Sequence, residues 1–576
     1  MKKLNFLFYF FALIMLASCN DAGGINTLTV DPVQATIGVD GGTSKITIQT
    51  NASSWSITNS ASDWLSLSST SGTGHSGSVT LTVSTRTLES RTATLVVSAG
   101  SAKPVELSIV QTASNYLYVI KTDLTTLSFD HAGGVKALKI TTDASTWSIS
   151  SDADWLQFSQ TTGSSGTISI NITATESTSD NAKTGTISIT ADNAATVQIS
   201  VTQKAPLYPS YNTSPLAADA TGMSSTAVEL AAKINLGWNI GNSLEAIGGE
   251  TFWGNPKVTK ALIDLVKQNG FNAVRIPCSW NQYSNSTTGK ISDTWLARVK
   301  EVVQYCIDND MYVLLNIHWD GGWLENNCTT DKQVENNAKQ KAFWEQIATE
   351  MRDFDEHLLF ASANEPNVDN ATQMTVLTSY HQTFINAVRS TGGHNTYRVL
   401  VVQGPRTDIQ KTNDLMNTLP TDPTANRMMA EVHYYTPYQF CLMTKDESWG
   451  NMFYYWGQNY HSTTDATRNA TWGEETDLNN FFKMMKTKFV DKGIPVVLGE
   501  YAAIRRTSLT GDNLTLHLAS RAYFLKYLIQ QAKANGILPF YWDAGGIGDG
   551  GTGLFDRSNN TVADQTAIDA LVQGAQ

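Results

Sequence analysis

Two hydrophobic rhythms divide the chain. From about residue 27 to 204, apolar and polar residues alternate in short runs. Examples are Ser78-Val79-Thr80-Leu81-Thr82-Val83 and Thr186-Ile187-Ser188-Ile189-Thr190, bounded by Gly, Ser and Asn. A period of two with regular turns predicts antiparallel strands that each bury one face, as in a β-sandwich. The pattern occurs twice. Gly41-Gly42, Trp55-Ser56-Ile57 and Asp63-Trp64-Leu65 return as Gly133-Gly134, Trp147-Ser148-Ile149 and Asp154-Trp155-Leu156. Each unit closes on a similar tail, Ile109-Val110-Gln111-Thr112 and Val201-Thr202-Gln203-Lys204. Two Ig-like all-β units are expected, at 27–114 and 115–204, with Trp55, Trp64, Trp147 and Trp155 filling their cores. Residues 205–222 carry Pro206, Pro209 and Pro215 without an apolar period and read as a short, semi-stiff linker.

From residue 223 to 576 the rhythm changes. Apolar runs alternate with helix-period stretches, the mark of βαβ units and a parallel sheet. Eight strand candidates fall at 234–240, 273–278, 312–317, 358–363, 398–403, 428–434, 495–499 and 538–542. Between the first two, Asn255 reads as a helix cap and Pro256 as a first-turn residue. Val258, Leu262, Leu265 and Val266 then form one face, and Gly270 stops the helix. Ser292 opens another helix, with Trp295, Leu296, Val299, Val303 and Cys306 on its buried side. Eight such units predict a (β/α)8 TIM barrel, so the fold class is multidomain: two Ig-like sandwiches followed by a barrel. A doubly wound open sheet is the alternative.

Composition narrows the partners. Of 576 residues, 41% are apolar and 16% charged, and the formal charge is −12. A nucleic-acid or anionic-membrane partner calls for a basic face, so neither is expected; a neutral polysaccharide is compatible. Fifteen Trp and twenty Tyr supply flat rings able to stack on sugars, although most rings belong to cores.

The chemistry lies at strand ends. Active sites of this barrel sit at the carboxyl ends of the strands. There the sequence places Arg275 after Val274, Asn316 and His318 after the third strand, and Asn364-Glu365-Pro366 after the fourth. His433 and Tyr435, two apart, close the sixth, Gly499-Glu500-Tyr501 the seventh, and Trp542 the eighth. A single strand-end glutamate is more often solvated or paired than catalytic. Many polar groups at one rim of an apolar barrel are hard to explain by stability. Two carboxylates facing one substrate are the equipment of glycosidic bond cleavage, and a spacing of about 5–5.5 Å predicts net retention. Burial and the charge of Glu500 are expected to raise Glu365, and Arg275 to lower Glu500. Glu431 lies one layer deeper than His433 and reads as a buried core acid. Glu245 and Asp320, in loops after strands, are candidates to touch substrate, and Asp543 reads as rim structure. Trp253, Trp280, Trp323, Trp449, Trp456 and Trp472 are candidate cleft rings, Trp280 equally a packing residue. No metal-ligand spacing and no phosphate-binding glycine loop follows a strand, so no metal and no cofactor is expected.

These motifs resemble glycoside hydrolase family 5. Gly237-Trp238-Asn239-Ile240-Gly241-Asn242 is most similar to its endo-β-1,4-glucanase and xyloglucanase branch, as are Val274-Arg275-Ile276-Pro277, Asn364-Glu365-Pro366 and Gly499-Glu500-Tyr501. The resemblance implies Glu365 as general acid/base and Glu500 as nucleophile. It implies Arg275, His318, Asn364, His433, Tyr435 and Trp542 as the supporting shell, with Asn242 and Trp323 added as substrate-binding candidates. The loop from Asp320 to Glu325 and the aromatic stretch from Trp449 to Trp472 are not placed by it. The substrate implied is a β-1,4-glucan: cellulose, mixed-linkage glucan or xyloglucan. A β-mannanase or xylanase of the same family, or a non-catalytic surface glycan-binding lipoprotein, are the alternatives. The two amino-terminal units resemble BACON domains, whose name implies carbohydrate binding; tryptophans in their cores make them spacers instead.

The first residues are a targeting segment. Lys2 and Lys3 precede the apolar run 6–16, too short to span a bilayer, and Leu16-Ala17-Ser18-Cys19 looks like the lipobox of bacterial lipoproteins. Residues 1–19 are then a signal, Cys19 is lipidated, and a monomer is expected on the outer face of the outer membrane. Cys278 and Cys306 fall in apolar segments and read as buried thiols; with Cys328 and Cys441 they leave a disulfide open.

Overall fold

The computed structural model describes residues 24–85, 89–113, 116–177 and 179–576. Cys19 and the expected signal segment lie outside the described residues. Among the described residues no helix is long and apolar enough to cross a membrane.

The repeat in sequence is a repeat in topology. The first sandwich has a four-stranded sheet ordered Leu28–Asp31, Gly42–Thr50, Ser76–Val83, Leu65–Leu67. Its five-stranded sheet runs Gln34–Ile37, Val105–Gln111, Arg91–Ser98, Ser54–Asn59, Ser71–Thr73. The second sandwich repeats both orders, with Ile120–Thr122, Gly134–Thr142, Gly166–Ala174, Leu156–Phe158 in one sheet. The other holds Thr126–Phe129, Val197–Gln203, Lys183–Thr190, Trp147–Ser151, Thr162–Gly163. Trp55, Trp147 and Trp155 are buried as expected, while Trp64 is half-buried beneath the Arg91 guanidinium, 4.2 Å from its ring. Gly72 and Gly77 clasp Trp55 so closely that a Cβ at either would lie 2.4 Å from the indole; Gly163 does the same to Trp147 at 2.3 Å.

The carboxyl-terminal part is a closed barrel of eight parallel strands. They are β1 (Gly237–Ile240), β2 (Ala273–Ile276), β3 (Tyr312–Asn316), β4 (Leu358–Ala361), β5 (Leu400–Gln403), β6 (Met428–Tyr434), β7 (Val496–Tyr501) and β8 (Ile537–Asp543). All eight strand candidates are present, several with shorter bounds than expected, and β8 pairs back onto β1. The bore is filled by alternate side chains, among them Ala273, Leu314, Leu359, Val401, Met429, Val497 and Phe540. Gly237 makes room for Phe540: a Cβ there would lie 2.2 Å from the ring. The helix Ala227–Lys233 packs Ala227 and Leu230 against this cluster. It starts on a reciprocal Thr226–Glu229 cap. The outward faces of the strands pack on the surrounding helices.

Two expectations need correction here. The helix after β1 begins at Lys260 with Thr259 as its cap, not at Asn255. Asn255 instead donates from its side-chain amide to the carbonyls of Asn242 and Ala544, tying the loops after β1 and β8 together. The linker is also less free than its composition suggests. The Tyr211 N–H donates to Glu345 Oε2 at 2.6 Å, and Leu216 and Thr391 join by their backbones at 3.1 Å. The expected helix from Ser292 does form, over Asp293–Ile307. Cys278, Cys306, Cys328 and Cys441 are all free and buried.

Candidate active site

The site grows from residues that the strand period aims into the barrel mouth. Arg275, two after the inward Ala273, is fully buried. Its guanidinium donates to Asn239 Oδ1 (3.0 Å), Glu500 Oε1 (2.9 Å) and Asn364 Oδ1 (2.8 Å), and its Nε lies 3.0 Å from Glu431 Oε1. A planar fork with several fixed donors is what this fan of acceptors requires; a lysine ammonium lacks that geometry. Asn239 in turn donates to the Gly499 carbonyl at 2.8 Å, linking β1 to β7.

Glu500 stands on a kinked strand. The register between β6 and β7 shifts between Val432 and His433, so that His433 pairs with Glu500. Such an irregularity re-aims a side chain at the end of a strand. Gly499 is needed at the kink because a Cβ there would lie 2.0 Å from Glu431 Oε1. Besides Arg275, Glu500 accepts from Tyr435 Oη at 3.0 Å, and His318 Nε2 lies 4.0 Å away. Burial pushes His318 well below its ordinary value, helped by the charge of Arg275, so it is neutral. Asn316 at 3.2 Å from its Nδ1 orients the ring, and Trp542 stacks parallel to it at 5.6 Å. Gly241 allows that indole in: a Cβ there would lie 2.8 Å from it.

Glu365 lies across from Glu500, its side chain 43% exposed against 7% for Glu500. Oxygens of the two carboxylates and a nitrogen of His433 all lie within 4.8 Å of one another. That spacing suits the closely set carboxyl pair of a retaining enzyme, about 5–5.5 Å apart, rather than the wider pair of an inverting one. His433 Nδ1 bonds Glu365 Oε1 at 2.7 Å, and its Nε2 lies 3.2 Å from Glu431 Oε1. Among the described residues these three groups lie close enough together to offer ligand atoms to one metal ion. Beside Glu365 a pocket of about 220 Å³ opens, lined also by Arg406, Thr407, Tyr435 and Phe481.

The charges of the site form one coupled system. Burial works against a charge on His433, but Glu500, Glu365 and Glu431 surround it and raise it to about 10. Burial likewise lifts Glu365, yet the bond and charge of His433, with Arg275 behind, bring it below the ordinary carboxyl value. The expectation of a raised Glu365 therefore fails as stated, because a cation sits closer to it than Glu500's charge. Glu365 and His433 together hold one proton along their short bond, and the proton belongs to the pair. Glu500 remains above its ordinary value because burial outweighs His433 and Arg275, against the expected lowering. Glu431 is fully buried and hydrogen-bonded, as the reading of a core acid anticipated, and despite burial Arg275 and His433 hold it below the ordinary carboxyl value.

The structure thus gathers Arg275, His318, Asn364, Glu365, His433, Tyr435, Glu500 and Trp542 into one network. Trp323 is a correction: it is 8% exposed, donates inward to Asp320 Oδ2 at 2.9 Å and packs edge-on to Phe343. Asn242 holds φ 56° and acts through its backbone, donating to Glu245 and accepting from Asn255. Glu245 and Asp320 are buried and cap loop N–H groups, so neither is placed to meet substrate. Trp280 and Trp456 are fully buried, whereas Trp253, Trp449 and Trp472 remain exposed. Asp543 holds the rim as expected, paired with Arg557 at 2.9 Å. Sequence reasoning missed Asn239, a polar residue inside an apolar strand, which was the available signal. It also missed Thr407, which stands 3.5 Å from Glu365 Oε1 on a turn where Arg406 and Thr407 both hold positive φ. Such backbone strain persists only where surroundings enforce it.

A closed (β/α)8 barrel with paired carboxylates at its mouth defines a class, the barrel glycoside hydrolases of the retaining type. The model of the family described as cellulase (glycosyl hydrolase family 5) matches residues 239–548, and the chain belongs to that family. BACON-domain models match residues 53–112 and 119–206, the latter described as a viral BACON domain. The xyloglucan-specific endo-beta-1,4-glucanase BoGH5A of Bacteroides ovatus is 35% identical over 466 residues, 78% of this chain and 89% of that protein. The Bacteroides ovatus GH5 xyloglucanase solved with an XXXG heptasaccharide superposes with a TM-score of 0.59 at 32% identity, covering 80% of this chain and 99% of that one. A GH5 xyloglucan-specific beta-1,4-glucanase from a ruminal metagenomic library, solved with XXLG, gives 0.57 at 41% identity, covering 61% and 96%.

Proposed function

We propose that this chain is a retaining endo-β-1,4-glucanase whose preferred backbone is that of xyloglucan. The observation that carries the reaction type is the pair Glu365 and Glu500, close enough for double displacement and unlike in environment. Xyloglucan is favoured over plain cellulose because the xyloglucan-specific relative matches more of this chain than the barrel alone.

In the first step Glu500, oriented by Arg275 and Tyr435, attacks the anomeric carbon. The proton shared by His433 and Glu365 passes to the glycosidic oxygen, the C–O bond breaks, and the reducing-side chain leaves. Substrate covers the exposed side of Glu365, and that lost hydration favours the neutral carboxyl over its ion pair with His433. A carboxylate raised by burial is a more basic, hence stronger, nucleophile. In the second step Glu365 takes a proton from water, the water attacks the same carbon, and Glu500 is released with net retention. Asn364 holds the sugar 2-hydroxyl, neutral His318 offers Nε2–H, and Trp542 carries the ring at the cleavage point.

Glu500→Ala tests the assignment. Hydrolysis should vanish while binding of xyloglucan oligosaccharide in calorimetry persists; residual turnover at the wild-type rate sinks the nucleophile. An NMR time course should show the β-anomer first. A panel of xyloglucan, mixed-linkage glucan, cellulose, mannan and xylan fixes the backbone, and preference for mannan or xylan would replace it.

The cell context is part of the same proposal. Lipidation of Cys19 anchors the chain to the outer membrane facing outward, and the two sandwiches act as spacers for a monomeric enzyme. The buried Trp55, Trp147 and Trp155 support this, since a buried ring offers no face to a sugar. Labelled palmitate should enter the wild type and not Cys19→Ala, and light scattering should report one chain per particle.

A further inference from the structure

The loop from Asp320 to Glu325, unplaced by its sequence, ends beneath Glu365. We propose that Glu325 is a positioning residue for the acid/base, setting Glu365 through the Asn364–Glu365 peptide; this rests on the role given to Glu365 above. Glu325 is 5% exposed, and its Oε1 accepts the backbone N–H of Glu365 at 2.6 Å. The neighbouring Asn364 side chain favours the charged form of that carboxyl. The Asn364 carbonyl end itself accepts from Arg275 at 2.8 Å. The Glu325 carboxylate therefore fixes the peptide that carries the acid, and Arg275 fixes the amide beside it.

The support is rigid. The Glu325 carbonyl accepts from Asn367 N at 2.9 Å, so the turn Glu325–Asn327 and the segment after Glu365 are laced at two points. Asn336 donates to the carbonyls of Trp323 and Asn327, and Tyr380 Oη to that of Asn327, pinning the turn to two helices. This also gives buried Trp323 a purpose: it anchors the loop and leaves substrate to other rings. A buried carboxyl next to two others opposes folding, and burial first, then the charges of Glu365 and Glu500, push Glu325 up to about 7. Packing alone would favour an apolar residue there.

The test compares leaving groups. A poor leaving group, the sugar of a glucan, needs the acid; a dinitrophenolate does not. Glu325→Gln keeps the shape but replaces the charged acceptor of the Glu365 N–H by a neutral amide. It should lower kcat/KM on xyloglucan oligosaccharide by about 100-fold, the effect of roughly 1 Å of misplacement. On dinitrophenyl cellobioside the loss should be at least about 10-fold smaller, at an unfolding temperature no lower than that of the wild type. Glu365→Gln, run alongside, calibrates the contrast. If Glu365→Gln shows no contrast, the reading of Glu365 falls. If it does and Glu325→Gln loses equally on both substrates, or on neither, the positioning role falls. Should Glu325→Gln not fold, Glu325→Asp, which keeps the charge and withdraws the acceptor, carries the same comparison.

Discussion

His433 decides where the working proton rests. It touches three carboxylates, Glu365 at 2.7 Å, Glu431 at 3.2 Å and Glu500 at 3.7 Å, and so is raised to about 10. Activity needs Glu500 ionised and the Glu365–His433 pair singly protonated. The acid limb of the kcat/KM profile then belongs to Glu500, above the ordinary carboxyl value, and the alkaline limb to loss of the pair's proton toward 10. In His433→Asn the proton has only Glu365 to rest on. The alkaline limb should fall into the carboxyl range, the acid limb should move less, and the peak rate should drop roughly 100-fold. An unmoved alkaline limb in the pH profile would falsify the shared proton. Arg275 is a second residue on which many depend. Arg275→Lys keeps a charge but not the fan of donors to Asn239, Asn364 and Glu500. It should lose about 3–5 kcal/mol in denaturant unfolding, the usual result of breaking a buried ion pair. A loss under about 1 kcal/mol would show that one charge is enough.

Strands were legible because burial on both faces writes apolar runs, and an acid at the end of such a run stands out. Glu365, His433 and Glu500 were readable for that reason, and the period of two placed Glu431 below His433. Turns were not legible, because their residues are chosen by contacts far away in sequence. Asn255 looked like a cap but serves two carbonyls across the mouth, and Glu325 sits in a short turn with no period at all. Gly499 shows the difference sharply: the sequence marks a glycine before a glutamate, and only the packing shows that Glu431 occupies the missing side chain's space. Gly499→Ala should therefore push β6 and β7 apart. Overpacking of this kind costs about 1–3 kcal/mol. Because Glu500 is the next residue, kcat should fall roughly 100-fold or more. If kcat instead stayed within about twofold of wild type, the kink would be tolerant and Glu431 free to move.

The barrel's boundary also depends on buried charge. A cut at residue 223 follows the change of rhythm, yet the segment before it is bonded onto the barrel. Glu345 is 2% exposed and accepts from Ser210 Oγ at 3.2 Å, Tyr211 N at 2.6 Å and Asn212 N at 3.2 Å. Gly392, at φ 69°, lets the chain pass so near that a Cβ would lie 1.8 Å from the Leu216 carbonyl. A fragment of residues 205–576 keeps these bonds, and one of 223–576 loses them. Each net hydrogen bond is worth about 0.5–1.5 kcal/mol, more to a charged acceptor. The shorter fragment should thus unfold several degrees below the longer, at about 2–4 °C per kcal/mol. None of these bonds reaches Glu365 or Glu500, so kcat on a soluble glucan should be the same for both fragments at 25 °C. It should also equal that of the chain with its sandwiches if those modules only hold the enzyme at a distance. Equal melting temperatures would return the segment to the status of a linker. A lower kcat in 205–576 than in the longer chain would make the sandwiches part of substrate capture.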